Sequence, residues 1–201
     1  MNIPFSKTYK KISMYNEQEK DKAKWFVMRA YKNEKKAEEH LSRDYGLEYF
    51  IPKQKILRKI NGKKVLVSVP VIRSLIFVFA KQEQIVDFKL NYYNDLQFVT
   101  RTFEGKHIYI TVPNKEMENF IKVCEQKEEE LNFFKPEELL DEKKRKIVKG
   151  QRVKVHGGPF NEVEGFFMKV EKKRGRQLVV IIPDLLAVSA EIDPDYLEIL
   201  E

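Results

Sequence analysis

The sequence predicts an α+β protein in two parts, a helix-and-strand sandwich followed by a small β-barrel. Three observations carry that expectation. Strand-like and helix-like apolar periods alternate through residue 132. A charged stretch carrying Pro136, residues 133–148, then breaks the pattern and reads as a linker. Residues 149–201 finally read as one short strand after another, separated by turns.

Residues 1–23 are polar, charged and without period, which implies a flexible leader. Lys24–Tyr31 is rich in aromatic and apolar residues and is expected as the first strand. A helix follows: Asn33 can cap it, Glu34 suits its positive end, and Gly46 can end it in the left-handed conformation. Ala37, Leu41 and Tyr45 then share the stripe that faces the sheet.

Leu47–Phe50 begins a second strand, and residues 54–69 give a strong hairpin signal. Asn61-Gly62 suits a type I′ two-residue turn between β-branched arms. After Pro70, the run Val71–Ala80 is nearly all apolar and implies a strand covered on both faces. A short helix around Gln82–Leu90 precedes a second hairpin, Phe98–Thr102 with His107–Val112, turning at Glu104-Gly105. Pro113 and Asn114 open a long helix whose buried stripe is Met117, Phe120, Ile121 and Cys124, with Glu125–Leu131 as its solvated extension. The order β-α-β-β-α-β over residues 24–132 is that of a ferredoxin-like sandwich with helices on one side of an antiparallel sheet. In the last part the expected strands are Arg152–His156, Gly165–Glu171, Gln177–Ile182, Ala187–Ile192 and Leu197–Leu200.

Composition narrows the function. The chain has 201 residues, 42% hydrophobic, and a formal net charge of +7, so an acidic partner is expected, nucleic acid first and an acidic protein surface second. One cysteine, Cys124, excludes an intrachain disulfide framework and any multi-cysteine metal site. No signal-peptide core and no run of the ~20 apolar residues that a membrane span needs is present, so a cytoplasmic, soluble chain is expected. Catalysis and cofactors are not expected: there is no P-loop and no dinucleotide fingerprint. His156-Gly157-Gly158 resembles an oxyanion-hole loop, but no G-x-S-x-G elbow accompanies it. His40 and His107 lack metal-ligand spacing to a partner.

Residues 149–167, KGQRVKVHGGPFNEVEGFF, hold the most specific signal. Val153 and Val155 alternate with Arg152, Lys154 and His156. Gly157, Gly158 and Pro159 force a reversal before Phe160, and Gly165 opens the next strand. This stretch resembles the KOW motif of small SH3-like barrels in transcription and ribosomal proteins. An α/β sandwich, a linker and a KOW barrel together resemble the NusG family of transcription elongation factors. Trp25-Phe26-Val27 looks like the opening of that family's N-terminal (NGN) domain, and residues 70–79, PVIRSLIFVF, are similar to its central strand. Arg73-Ser74-Leu75 stands where the commonest members have Pro, Gly and Tyr, which looks like a specialised paralogue of the RfaH or UpxY type, the latter serving capsular polysaccharide operons.

The resemblance implies a front domain that docks an exposed apolar patch on the clamp helices of RNA polymerase. The matching positions are Ile72, Leu75 and Phe77, with Arg29 beside them; the other reading is that the three are core. It also implies a tethered KOW module, free to recruit a ribosomal protein or a termination factor, with Val153, Val155, Gly158, Pro159, Phe160 and Gly165 as its motif. From the residues themselves come two basic clusters. Lys53, Lys55, Arg58, Lys59, Lys63 and Lys64 line the first hairpin with no acidic residue between 53 and 64, as suits phosphate tracking by DNA or RNA contacts, or else a solvated ribbon whose lysines discourage edge pairing. Lys169, Lys172, Lys173, Arg174 and Arg176 surround a turn at Gly175 and are candidates for the partner contact, or else simple solvent exposure. A KOW-type RNA-binding protein of ribosome assembly is the other functional class that these features fit.

Overall fold

The computed structural model describes residues 22–44, 46–126, 131–135, 140–141, 146–147, 150–170 and 175–200. The expected leader, apart from its last two residues, lies outside them, as do Tyr45, Lys172, Lys173 and Arg174.

The first domain is built on two central antiparallel strands, β1 (Lys24–Ala30) and β5 (Leu75–Ala80), paired from Lys24↔Ala80 to Arg29↔Leu75. β2 (Glu48–Phe50) flanks β5, while β6 (Leu96–Phe98) and β9 (Thr111–Val112) pair with different halves of β1. Strand alternation splits the apolar residues cleanly. Phe26, Met28, Ile76 and Val78 face one side, under α1 (Glu34–Glu39) and α2 (Gln82–Asn91), through Ala37, Leu41, Ile85 and Phe88. Trp25, Val27, Leu75 and Phe77 face the other, under α3 (Asn114–Cys124), whose Phe120 ring lies 6.4 Å from that of Phe77.

Helices therefore cover both faces, as the unbroken apolar run of β5 implies, and the one-sided arrangement expected from element order is corrected. Two boundaries move as well. β5 begins at Leu75 rather than Val71, because Ser74 turns at φ +66° before the strand. α3 ends at Cys124, with Val123 joining its buried stripe and Ile121 only half-buried.

Local signals act as expected where the chemistry is strong. The Asn33 side chain accepts from Lys36 N–H at 3.1 Å, and Gly46 sits at φ +62°. Between them α1 widens into a π turn over His40–Asp44. β3 (Lys53–Ile60) and β4 (Lys63–Pro70) form a two-stranded ribbon of their own, closed by Asn61 and Gly62 at φ +50° and +80°. β7 (Thr100–Phe103) and β8 (Lys106–Tyr109) form a shorter one about Glu104-Gly105.

The second domain is a six-stranded antiparallel sheet, in the order β10 (Asn132–Phe134), β16 (Leu186–Ala190), β15 (Arg176–Ile182), β14 (Glu164–Lys169), β13 (Gln151–Val155), β17 (Leu197–Ile199). Because Phe133 and Phe134 pair with Val188 and Ala187, they belong to this sheet rather than to the linker. β11 (Leu140–Asp141) and β12 (Lys146–Ile147) pair with each other inside the expected linker.

The expectation of a tethered, free rear module is also corrected. α3 is sandwiched: its Met117, Phe120 and Val123 share one apolar cluster with Val27 and Phe77 on one side and Val180, Ile182 and Val188 on the other. The rim of this contact is polar. Lys115 pairs with Glu164, Lys122 donates to the Asn161 carbonyl, and Glu164 N–H donates to Asn119 Oδ1 at 3.3 Å.

Candidate nucleic-acid interface

The β3–β4 ribbon gathers all six hairpin cations predicted from the sequence. Its register runs from Lys53↔Pro70 to Ile60↔Lys63. By alternation one face carries Lys53, Lys55, Leu57 and Lys59 opposite Pro70, Ser68, Leu66 and Lys64; the other carries Arg58 and Lys63 among Ile56, Ile60, Val65 and Val67. Lys59 and Lys64 are directly opposed, an arrangement that costs folding energy and suits an anionic partner. At the base, Lys53 pairs with Glu38 of α1 at 3.3 Å. The sequence reading missed the aliphatic part of this surface: Leu57 and Leu66 are 60% and 53% exposed, and Ile60 and Val65 are exposed too. The signal was present, since Leu57 and Leu66 lie equally far from Asn61-Gly62 and a two-residue turn must place them opposite each other.

The expected apolar docking patch is dispersed. Leu75 and Phe77 are fully buried beneath α3 and are core residues, which corrects the expectation that they lie on an exposed strand face. Ile72 is half-buried. Arg29, also half-buried, donates from Nη1 to the Arg73 carbonyl at 3.0 Å, tying β1 to the turn before β5. In that turn Glu34 accepts from Ser74 N–H, and the Ser74 carbonyl accepts from Ala30 N–H at 2.8 Å. A serine held at φ +66° occupies a conformation that favours glycine, the residue the family resemblance puts there.

In the second domain Val153 and Val155 are buried, and Gly157 and Gly158 take φ +96° and +64°. Tyr196 leaves so little room above Gly157 that a Cβ there would meet its ring at 3.3 Å. Pro159 leads into the buried Phe160. Gly165 is required by contact rather than by φ: a Cβ would lie 2.7 Å from the Val179 carbonyl oxygen. His156 Nε2 meets Glu198 Oε2 at 2.5 Å. Of the second basic cluster, Lys169 and Arg176 are described and exposed, with the Arg176 guanidinium 5.9 Å from the Phe167 ring centre.

Electrostatics concentrate where α3 meets the second sheet. A hydrogen bond from Lys115, with Arg152 at 3.1 Å, holds the Glu164 carboxyl below the ordinary carboxylate range. Burial pushes Glu116 up, opposed by the nearby charge of Arg152, and its Oε2 has no hydrogen-bond partner. Burial also raises Cys124 far above an ordinary thiol, leaving it inert. Among the described residues no cluster of His, Cys, Asp or Glu has the grouping to hold a metal ion. Nor is any helix among them long and apolar enough to cross a membrane.

The site thus consists of a sheet covered on both sides, a separate cationic two-stranded ribbon and a second sheet carrying a glycine-rich turn. Residues 23–121, which are the first domain up to the last turn of α3, match the family described as transcription termination factor nusG. The match supports a NusG-like transcription factor, and proteins of that family generally bind RNA polymerase. No curated protein matches the chain.

Proposed function

We propose that this chain is a transcription elongation and antitermination factor that binds RNA polymerase through its first domain and suppresses pausing or termination. The observation that carries this reading is the NusG-family match over residues 23–121. The accessible part of the polymerase contact is the edge made by Arg29 and Ile72, with Leu75 and Phe77 beneath it as support. The ribbon lysines meet DNA or RNA beside the polymerase, where each neutralised phosphate releases counterions. The second domain, read as a KOW module, recruits a ribosomal protein or a termination factor through Lys172, Lys173, Arg174 and Arg176.

The factor acts in the cytoplasm by binding energy and not by catalysis. A protein that prefers the closed, elongating state of the polymerase shifts the population toward it. Arg73-Ser74-Leu75, in place of the commoner Pro-Gly-Tyr, favours a specialised paralogue of the RfaH or UpxY type, acting at polysaccharide operons. Pull-down of core RNA polymerase by the full chain tests the reading. Retention is expected, with marked loss in an Arg29→Glu, Ile72→Asp double variant; a chain that retains no polymerase refutes it.

A further inference from the structure

Phosphate tracking accounts for the cations of the ribbon and leaves its most exposed aliphatic side chains without a role. Leu57 and Leu66 are directly opposed in the register and form one apolar knob on the face that also carries Lys59 and Lys64. The ribbon is a separate two-stranded sheet, and no acidic residue occurs from Lys53 to Pro70. We infer that the ribbon engages duplex DNA and inserts the Leu57–Leu66 knob as a wedge between adjacent base steps. The inference rests on the reading that the ribbon lysines meet nucleic acid.

Three physical points favour this occupant. Residues two apart on one face of a strand are about 6.7 Å apart, so Lys59 and Lys64 sit beside the knob at a spacing of about two base steps. Aliphatic wedges that unstack a step and kink the duplex are an established mode of DNA binding. A protein interface needs on the order of 1,000 Å² of buried surface, far more than two leucine side chains supply, whereas a single opened base step matches them in size. A second copy of the chain is disfavoured on that face, because the opposed Lys59 and Lys64 of each copy would meet. The deep, narrow major groove of duplex RNA is the poorer receptor for such a ribbon.

The full chain is titrated into a short DNA duplex carrying 2-aminopurine at its centre and a fluorophore pair at its ends. Wild type is expected to raise 2-aminopurine fluorescence several-fold and to shorten the end-to-end distance. Leu57→Ala with Leu66→Ala is expected to keep its affinity and salt dependence while losing both signals. Lys59→Ala with Lys64→Ala lowers the salt slope by about 1.8, as two lost phosphate contacts require. Ile60→Ala with Val65→Ala, on the opposite face, keeps the signals. These positions are exposed, and circular dichroism of each variant checks that it is folded.

Wild-type binding without unstacking overturns the wedge, as does a leucine variant that still unstacks the duplex. A leucine variant that loses only polymerase binding, or only binding to anionic vesicles, overturns it in favour of that partner. Failure of the wild type to bind duplex at all removes the nucleic-acid reading of the ribbon together with the wedge. Polymerase pull-down is scored separately, so loss of the wedge and loss of the polymerase reading are distinguishable.

Discussion

β15 and the β3–β4 ribbon use nearly the same residues to opposite ends. Leu178–Ile182 is a run of five aliphatic residues, all buried: α3 covers one face of its sheet, and on the other Val179 and Ile181 cluster with Met168, Ala187 and Phe134 of neighbouring strands. The ribbon is comparably rich in leucine, isoleucine and valine, yet Leu57, Ile60, Val65 and Leu66 are exposed on both faces. The difference lies in the intervening positions. In β15 neighbouring side chains are apolar and a second layer can close on them. In the ribbon cations stand among the aliphatic residues on both faces, Lys53, Lys55, Lys59 and Lys64 on one and Arg58 and Lys63 on the other, so a layer closing on either face would bury charge. Aliphatic content alone does not mark a core; aliphatic content without interleaved charge does.

The largest expected effect falls on the buried side of this contrast. Phe77→Asp or Leu75→Asp places a charge beneath α3 and is expected to destabilise the chain by more than about 4 kcal/mol, read by urea denaturation. Leu57→Asp on the ribbon is expected to change stability by less than about 0.5 kcal/mol. Gly165→Ala comes next, because its new methyl group must displace the Val179 carbonyl; a loss of about 1–3 kcal/mol is expected by the same measurement.

Smaller effects belong to the seam between α3 and the second sheet. Burial raises the folded-state pKa of Glu116, so the carboxylate costs stability above that value and nothing below the ordinary carboxylate range. Glu116→Gln should therefore raise Tm near pH 7 by about 2 °C, a gain that disappears in acid. Glu164 has the opposite sign. Its folded-state pKa is lowered by Lys115, so its stabilisation is present above the ordinary carboxylate pKa and is lost as pH falls through the lowered value. Lys115→Ala should flatten that acid limb of Tm against pH. The smallest expected effect is Lys59→Glu: relieving the opposition to Lys64 stabilises the ribbon by about 0.2–1 kcal/mol while weakening its binding to DNA.

Much of this was legible in the sequence. The second-domain strands fell within a residue or two of expectation, with β16 ending at Ala190 rather than Ile192, because each is bounded by turn residues such as Gly157-Gly158 and Pro183-Asp184. The Asn61-Gly62 turn fixed the ribbon's register and hence the placement of all six cations. The layer that would cover each apolar face was not legible. Leu75 and Phe77 alternate along a strand as a docking patch would, and only the return of α3 over them decides that they are core. The same is true of the second sheet: the charge-rich stretch after residue 132 reads as a tether, and nothing local says that Val180 and Ile182 will close on α3. Phe77 and Phe120 are 43 residues apart, and Val180 lies further still from α3, beyond the reach of any periodicity.

In vitro transcription on a template with a defined pause, with and without the full chain, tests the central claim most directly. Shortened pause lifetimes and increased read-through are expected, weakened by the Arg29→Glu, Ile72→Asp variant. Pause lifetimes that do not change at saturating protein would contradict the account.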